Sequence, residues 1–158
     1  MMNGEGQKKP EDLKTRTKRF ALRVIRLYSA LPKTAAAQIM GRQVLRSATS
    51  VGAHYREGLR ARSKAEIVSK LGGALQELEE TAYWLELLTE SGLVKSDRLK
   101  DLSNEVDELT AILIVCAKKM KPSPKRNCMN SGMTNSGAVK TNRIHDSSFR
   151  IQDFAYET

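Results

Sequence analysis

Arginine side chains recur at helical intervals in the first third of the chain. In one predicted helix, four of them step by three, four and three residues, which places them in a stripe on one face. A second predicted helix carries four more along a single line, and a ninth follows in the next loop. The candidate nucleic-acid-binding residues are Arg16, Arg19, Arg23, Arg26, Arg42, Arg46, Arg56, Arg60 and Arg62. Because a guanidinium can contact phosphate in a bidentate way, this pattern predicts a surface for a nucleic-acid backbone, with salt-dependent and mostly sequence-independent affinity.

The distribution of charge along the chain allows a second interpretation. The chain has 158 residues and a formal net charge of +9. Residues 13–63 hold twelve Lys and Arg against the single acid Glu57, whereas residues 64–121 hold eight basic and eleven acidic residues. This asymmetry indicates a polyanionic partner, or else arginines that are solvated or paired with an acidic helix of the same or an adjacent subunit. The acidic side chains of the third predicted helix are Glu77, Glu79, Glu80, Glu86 and Glu90.

The sequence offers little that resembles a catalytic centre or a metal site. His54 and Glu57 lie three residues apart, but such a pair without a nucleophile or a second histidine is weak evidence for acid–base catalysis. The motifs of phosphate loops, serine hydrolases, zinc proteases and di-iron bundles do not occur. Cys116 falls in an apolar helical stretch and Cys128 in a polar one, which predicts a buried small side chain and a free thiol. We therefore expect no enzymatic activity, no metal and no cofactor.

Apolar residues at three- and four-residue steps predict four helices. These run from about Asp12 to Leu31, from Thr34 to the region of Gly58, from Ser63 to Gly92, and from about Ser96 to Lys121. Ser63 and Glu66 have the spacing of a capping box, and Gly92 is suited to end the third helix. The connections are short, so the sequence predicts an all-α fold, an antiparallel up-down-up-down four-helix bundle with a disordered C-terminal tail.

Two details of the predicted helices depend on their neighbours. The apolar line of the second helix includes Ile39, which should then be buried. The third helix contains the adjacent glycines Gly72 and Gly73, each of which costs about 1 kcal/mol relative to alanine. Close approach of another helix would explain why both are tolerated.

The chain divides into three predicted segments. These are a flexible N-terminus over residues 1–11, the four-helix bundle over 12–121, and a polar, disordered tail over 122–158. Within the tail, the stretch from Phe149 to Phe154 is the one candidate for a docking segment. The sequence shows no secretory signal and no apolar run long enough to span a bilayer, so we expect a cytoplasmic protein.

Three stretches of the sequence resemble the 23S rRNA intervening-sequence protein family. They run from Leu45 to Gly58, from Arg60 to Glu66 and from Leu75 to Leu88, and the likeness extends over roughly residues 12–121. The resemblance implies a four-helix bundle that assembles as a homopentamer. It also implies kinship with accessory proteins of diversity-generating retroelements, which bind nucleic acid and a reverse transcriptase. Many relatives have Asn at the position of His54 and Ala at that of Gly58.

Together these features predict a non-enzymatic, homo-oligomeric basic bundle that binds nucleic acid, with an accessory role beside a reverse transcriptase or another protein partner. Aromatic residues make up only 5% of the chain, which favours structured RNA or duplex DNA over stacked single strands. The alternative is a structural oligomer or protein-interaction scaffold, whose basic stripes pair with acidic helices of adjacent subunits.

Overall fold

The computed structural model describes residues 12–120, which form four α-helices. The helices are α1 (Leu13–Ala30), α2 (Ala35–Gly58), α3 (Lys64–Glu90) and α4 (Ser96–Met120). All four predicted helices are confirmed, with ends that differ by one or two residues. The predicted flexible N-terminus over 1–11 and the predicted tail over 122–158, with its Phe149–Phe154 stretch, lie outside the described residues. None of the four helices is both long enough and apolar enough to cross a membrane.

Side-chain caps and one glycine determine where the helices begin and end. The Thr34 hydroxyl accepts a hydrogen bond from the backbone N–H of Ala37, and the Ser63 hydroxyl accepts one from that of Glu66. The reciprocal half of the predicted capping box is shifted by one residue, because the Glu66 carboxylate accepts from the backbone N–H of Arg62 at 2.8 Å. Gly92 has a φ of 71°, a left-handed conformation that glycine adopts without strain, and so ends α3 as predicted.

The helices pack in chain order to form the antiparallel up-down-up-down bundle. α2 packs against both α1 and α3, α3 packs against α4, and α1 and α4 make few contacts with each other. The largest fully buried side chains are Tyr55, Phe20, Leu71, Leu78, Leu85, Leu88, Leu109, Leu113, Met120, Val24, Val44 and Val51. The bundle therefore has one continuous core and a comparatively open seam between its first and last helices.

The prediction that Ile39 is buried was wrong. Its residue surface is 53% exposed, whereas Ala37, Gly41 and Val44 on the same helix are buried. Ile39 follows Ala37 by two positions, which turns it about 200° around a helix of 3.6 residues per turn. Hydrophobicity alone could not show which face of α2 meets the core, since that face is built largely from small residues.

A buried hydrogen bond joins α2 to α3 where small side chains bring them together. The Thr81 hydroxyl donates to the Ser47 hydroxyl at 2.8 Å, and Ser47 in turn donates to the carbonyl of Gln43 at 3.0 Å. Both hydroxyls are inaccessible to solvent, so each needs a partner inside the protein. This pair gives the α2–α3 contact a fixed register in addition to its apolar packing.

The two adjacent glycines of α3 have different surroundings. A Cβ placed on Gly73 would lie 3.1 Å from Cε1 of His54 on α2, whereas one placed on Gly72 would have no atom within 4 Å. Close helix approach thus explains Gly73 and leaves Gly72 without a steric reason.

We expect Gly72→Ala to raise the free energy of unfolding by about 0.5–1 kcal/mol, because alanine is the better helix former and meets nothing. Gly73→Ala is the matched control, and the His54 ring in its way should cancel the gain. Urea denaturation of the two variants measures both values. An equal gain in both would mean that the His54 contact does not restrict Gly73.

Candidate nucleic-acid interface

The arginine stripe of α1 lies along the side of the helix that faces α4. Phe20 and Val24 occupy the core face of α1 and are fully buried, and the stripe flanks them. Near the start of the helix, Arg16 contacts α4 directly. Near its end, Arg23 and Arg26 line a groove between α1 and the beginning of α4. One end of the stripe is therefore paired within the bundle, and the other faces an open groove.

Arg16 takes part in an ion pair that holds α1 against α4. Its Nε donates to Glu105 Oε1 at 2.7 Å and its Nη2 to Glu105 Oε2 at 3.3 Å, a bidentate arrangement, while Nη2 also donates to Glu108. The side chains of Arg16 and Glu105 are only 17% and 11% exposed. The hydrogen bond that Arg16 donates to Glu105 raises the pKa of the guanidinium above its ordinary value, against the lowering effect of burial. Arg16 thus has a structural partner in its own chain.

Arg46 on α2 pairs with the acidic face of α3. Its Nη2 donates to Glu80, and its Nη1 lies 3.7 Å from Glu77 Oε1. Glu80 also accepts from Nε1 of Trp84 at 3.1 Å. The hydrogen bond from Arg46, followed by that from Trp84, lowers the pKa of Glu80 below its usual value. With its side chain 54% exposed, Arg46 forms a pair that water screens strongly.

Two further arginines of the predicted set also have interactions within the protein. Arg56 donates to the backbone carbonyl of Gly52 at 3.4 Å and to that of Lys14 on α1 at 3.5 Å. Arg56 is half-buried and forms no ion pair within residues 12–120. Arg19 is exposed and also has an interaction within the protein.

The remaining five predicted residues form neither an ion pair nor a hydrogen bond from the side chain within residues 12–120. They are Arg23, Arg26, Arg42, Arg60 and Arg62. All except the half-buried Arg23 are exposed. The structure does not bring the nine arginines into one continuous surface, because Arg16, Arg23 and Arg26 face α4, whereas Arg46 faces α3 and Arg56 lies beside the start of α1. The prediction that Arg60 lies on the second helix was wrong, since α2 ends at Gly58.

The groove beside Arg23 and Arg26 is lined by two more cations that are not among the nine predicted arginines. The opposite wall carries Lys95, from the α3–α4 connection, and Arg98, from the first turn of α4, and the groove has a volume of about 870 Å³. Lys95 and Arg98 are both exposed. They were missed because they belong to a net acidic segment, although their three-residue spacing is the same signal that identified the arginines of α1.

The His54–Glu57 pair serves the contact between α2 and α3. Glu57 Oε2 lies 2.7 Å from Nζ of Lys70 and 3.8 Å from Nδ1 of His54. The hydrogen bond from Lys70 lowers the pKa of Glu57. Nδ1 of His54 is buried without a hydrogen-bond partner in the described residues, and its ring lies close to Gly73. The ring fills space between helices, while the carboxylate is bound to a lysine.

The described part of the chain gives no indication of a metal centre or an activated thiol. No group of three or more His, Cys, Asp or Glu in residues 12–120 is placed to hold a metal ion. Cys116 is buried, and burial raises the pKa of its thiol, which makes it less reactive. Cys128 lies outside the described residues.

A comparison with protein-family models matches residues 11–115 to the 23S rRNA-intervening sequence protein model. The chain belongs to this family. A solved structure supports the assignment: the crystal structure of a protein of unknown function from the S23 ribosomal protein family of Bacteroides thetaiotaomicron is 37% identical, with a TM-score of 0.64. The match covers 67% of this chain and 95% of that one. A comparison with curated protein sequences finds no significant match. Membership of the 23S rRNA-intervening sequence family thus agrees with the four-helix fold and assigns no activity.

Proposed function

We propose that this protein is a non-enzymatic, homo-oligomeric bundle that binds the backbone of structured RNA or duplex DNA through arginines of α1, α2 and the α2–α3 connection. In this role it acts as an accessory factor beside a larger nucleic-acid machine, of which a reverse transcriptase is one candidate. The observation that carries the proposal is that five of the nine predicted arginines have neither an ion pair nor a hydrogen bond from the side chain within residues 12–120: Arg23, Arg26, Arg42, Arg60 and Arg62.

The way the other arginines are neutralised strengthens this proposal. Glu105 and Glu108 pair with Arg16, and Glu77 and Glu80 pair with Arg46, so the acidic helices satisfy only part of the basic surface. Like charges that lack a partner repel one another and attract a polyanion, and assembly into an oligomer multiplies both effects. Arginine is also better suited than lysine to bidentate phosphate contacts.

A structural scaffold is the second candidate function. The ion pairs from Arg16 and Arg46 demonstrate that carboxylates of α3 and α4 do pair with these arginines, and Glu79, Glu86 and Glu90 are exposed for an adjacent subunit. Four large hydrophobic residues are also exposed and suited to subunit contacts: Leu22, Ile25, Ile39 and Tyr83. In this alternative the homo-oligomer, a pentamer by family likeness, is held together by the basic surface itself.

A salt series separates the two functions. We expect the wild type to bind a duplex DNA and a hairpin RNA at low salt, with log K falling linearly against log salt concentration by about 0.9 per phosphate neutralised. Replacing the five unpaired arginines with glutamine should weaken binding by about tenfold or more while sedimentation shows an unchanged oligomer. Arg46→Gln, which removes a paired arginine, is the control and should have a smaller effect.

Two outcomes would contradict the proposal. Absence of binding by the wild type at low salt would exclude nucleic-acid backbone recognition. Dissociation of the oligomer in the five-residue variant, with no binding by the wild type, would favour the scaffold.

A further inference from the structure

The seam between α1 and α4 differs in charge from one end to the other. At one end, Arg16 is neutralised by Glu105 and Glu108 of α4. At the other end, Arg23 and Arg26 on α1 face Lys95 and Arg98 across the groove, and no Asp or Glu is among the groove's lining residues. None of these four cations forms an ion pair within residues 12–120. The seam between α1 and α4 is thus neutralised by ion pairs at one end and carries unpaired positive charge at the other.

The walls of this groove strengthen the field of its four cations. Its floor is aliphatic, formed by residues that are buried or half-buried: Leu27, Leu31, Leu99 and Leu102. A cleft lined by one sign of charge with apolar walls focuses the field and raises the local concentration of counter-ions. Two nearby carboxylates, Asp97 and Asp101, are exposed on α4 but do not line the groove. The N-terminus of α4 adds partial positive charge beside Lys95.

The chemistry of the lining selects the kind of anion. Three of the four cations are arginines, which favour planar, bidentate phosphate contacts over single-point ones. The lining contains no aromatic side chain, so bases would have nothing to stack on. An aliphatic floor between two pairs of cations is compatible with a sugar–phosphate strand whose phosphates contact the walls.

We propose that this groove holds the sugar–phosphate backbone of the bound nucleic acid, with Lys95 and Arg98 as phosphate contacts opposite Arg23 and Arg26. The inference rests on the proposed function, since it places nucleic-acid binding at one site and adds two residues to it. It also assigns Arg42, Arg60 and Arg62 a smaller share of the affinity than the groove.

The test compares matched variants of the full chain in duplex and hairpin binding. Lys95→Gln/Arg98→Gln should weaken binding about tenfold or more near 0.1 M salt. The slope of log K against log salt concentration should become less steep by the amount expected for about two phosphate contacts. Lys100→Gln/Lys118→Gln removes the same charge from exposed positions outside the groove and should change the affinity by less than about threefold. Circular dichroism and sedimentation establish that both variants fold and assemble.

A footprint of the wild type gives a second readout that needs no substitution. Bound nucleic acid should protect the Lys95 amine from acetylation and leave the Lys100 amine as reactive as in the free protein.

If the wild type binds but the groove variant matches the control and Lys95 stays reactive, the groove assignment is overturned while the proposed function stands. If the wild type does not bind at all, the proposed function itself fails. Polyglutamate serves as a model of an acidic protein partner. If the groove variant loses affinity for polyglutamate but keeps it for nucleic acid, the groove is a protein-binding surface and the assignment is again overturned.

Discussion

Replacing Arg16 with methionine is expected to destabilise the bundle by about 2–3 kcal/mol, somewhat less than the 3–5 kcal/mol typical of breaking a fully buried ion pair. Methionine retains an apolar stem of similar length but cannot neutralise Glu105, whose side chain is only 11% exposed. The cost is therefore mainly that of a carboxylate held out of water without a partner. Removal of the bidentate contact also loosens α1 from α4, which make few other contacts.

Urea denaturation at neutral pH measures this effect, and two further variants define its origin. Lys18→Met removes an exposed cation of the same helix and should change the free energy of unfolding by no more than about 0.5 kcal/mol. Arg16→Met/Glu105→Met removes both charges and should recover most of the loss. A double variant as unstable as Arg16→Met alone would show that packing, and not the unpaired carboxylate, causes the loss.

The pairing of Arg16 with Glu105 and Glu108 limits which arginines can be substituted in a test of nucleic-acid binding. A charge-reversed α1 stripe that included Arg16 would place a third carboxylate beside Glu105 and Glu108. Loss of binding by such a variant would then report on unfolding. Substitutions at Arg23 and Arg26, which have no ion pair within residues 12–120, avoid this ambiguity.

Phe20→Ala should be the most destabilising single truncation of α1, at about 3–5 kcal/mol. Phe20 is fully buried and lies at the middle of the helix, so its removal leaves a cavity as well as losing apolar burial. α1 has one extensive packing partner, α2, and is poorly placed to collapse into that cavity.

Leu22→Ala, two residues further along the same helix, is the matched control for Phe20→Ala. Leu22 is 43% exposed, and its truncation should cost no more than about 0.5 kcal/mol. Thermal and urea unfolding of both variants give the comparison. A loss at Leu22 as large as that at Phe20 would mean that Leu22 is buried in the assembled protein, for example between subunits.

The fold was largely predictable because its signals are local. Thr34 and Ser63 are N-caps recognisable from type and position, Gly92 is a C-terminal stop, and the apolar spacing of α4 needs no partner to be recognised. The error at Ile39 arose where small residues build the core face, so that hydrophobicity did not mark it.

The candidate site was less predictable because it depends on which helix faces which. The partner of Arg16 lies 89 residues away on α4, and that of Arg46 lies 34 residues away on α3. Charge spacing showed that the arginines share a stripe but not that Arg16 would be paired and Arg23 unpaired. Lys95 joins the groove only because α4 returns antiparallel beside α1, a relation that no local pattern contains.

The open seam between α1 and α4 has a consequence for cooperativity. Each helix packs mainly on the helices next to it in the chain, so α1 is held mainly by α2 and only weakly by α4. Amide hydrogens of α1 should exchange through an opening that leaves α2, α3 and α4 intact, whereas those of α2 and α3 require global unfolding. An anion that bridges Arg26 and Arg98 would connect α1 to α4. Ligand binding would then stabilise the packed position of α1 against local opening.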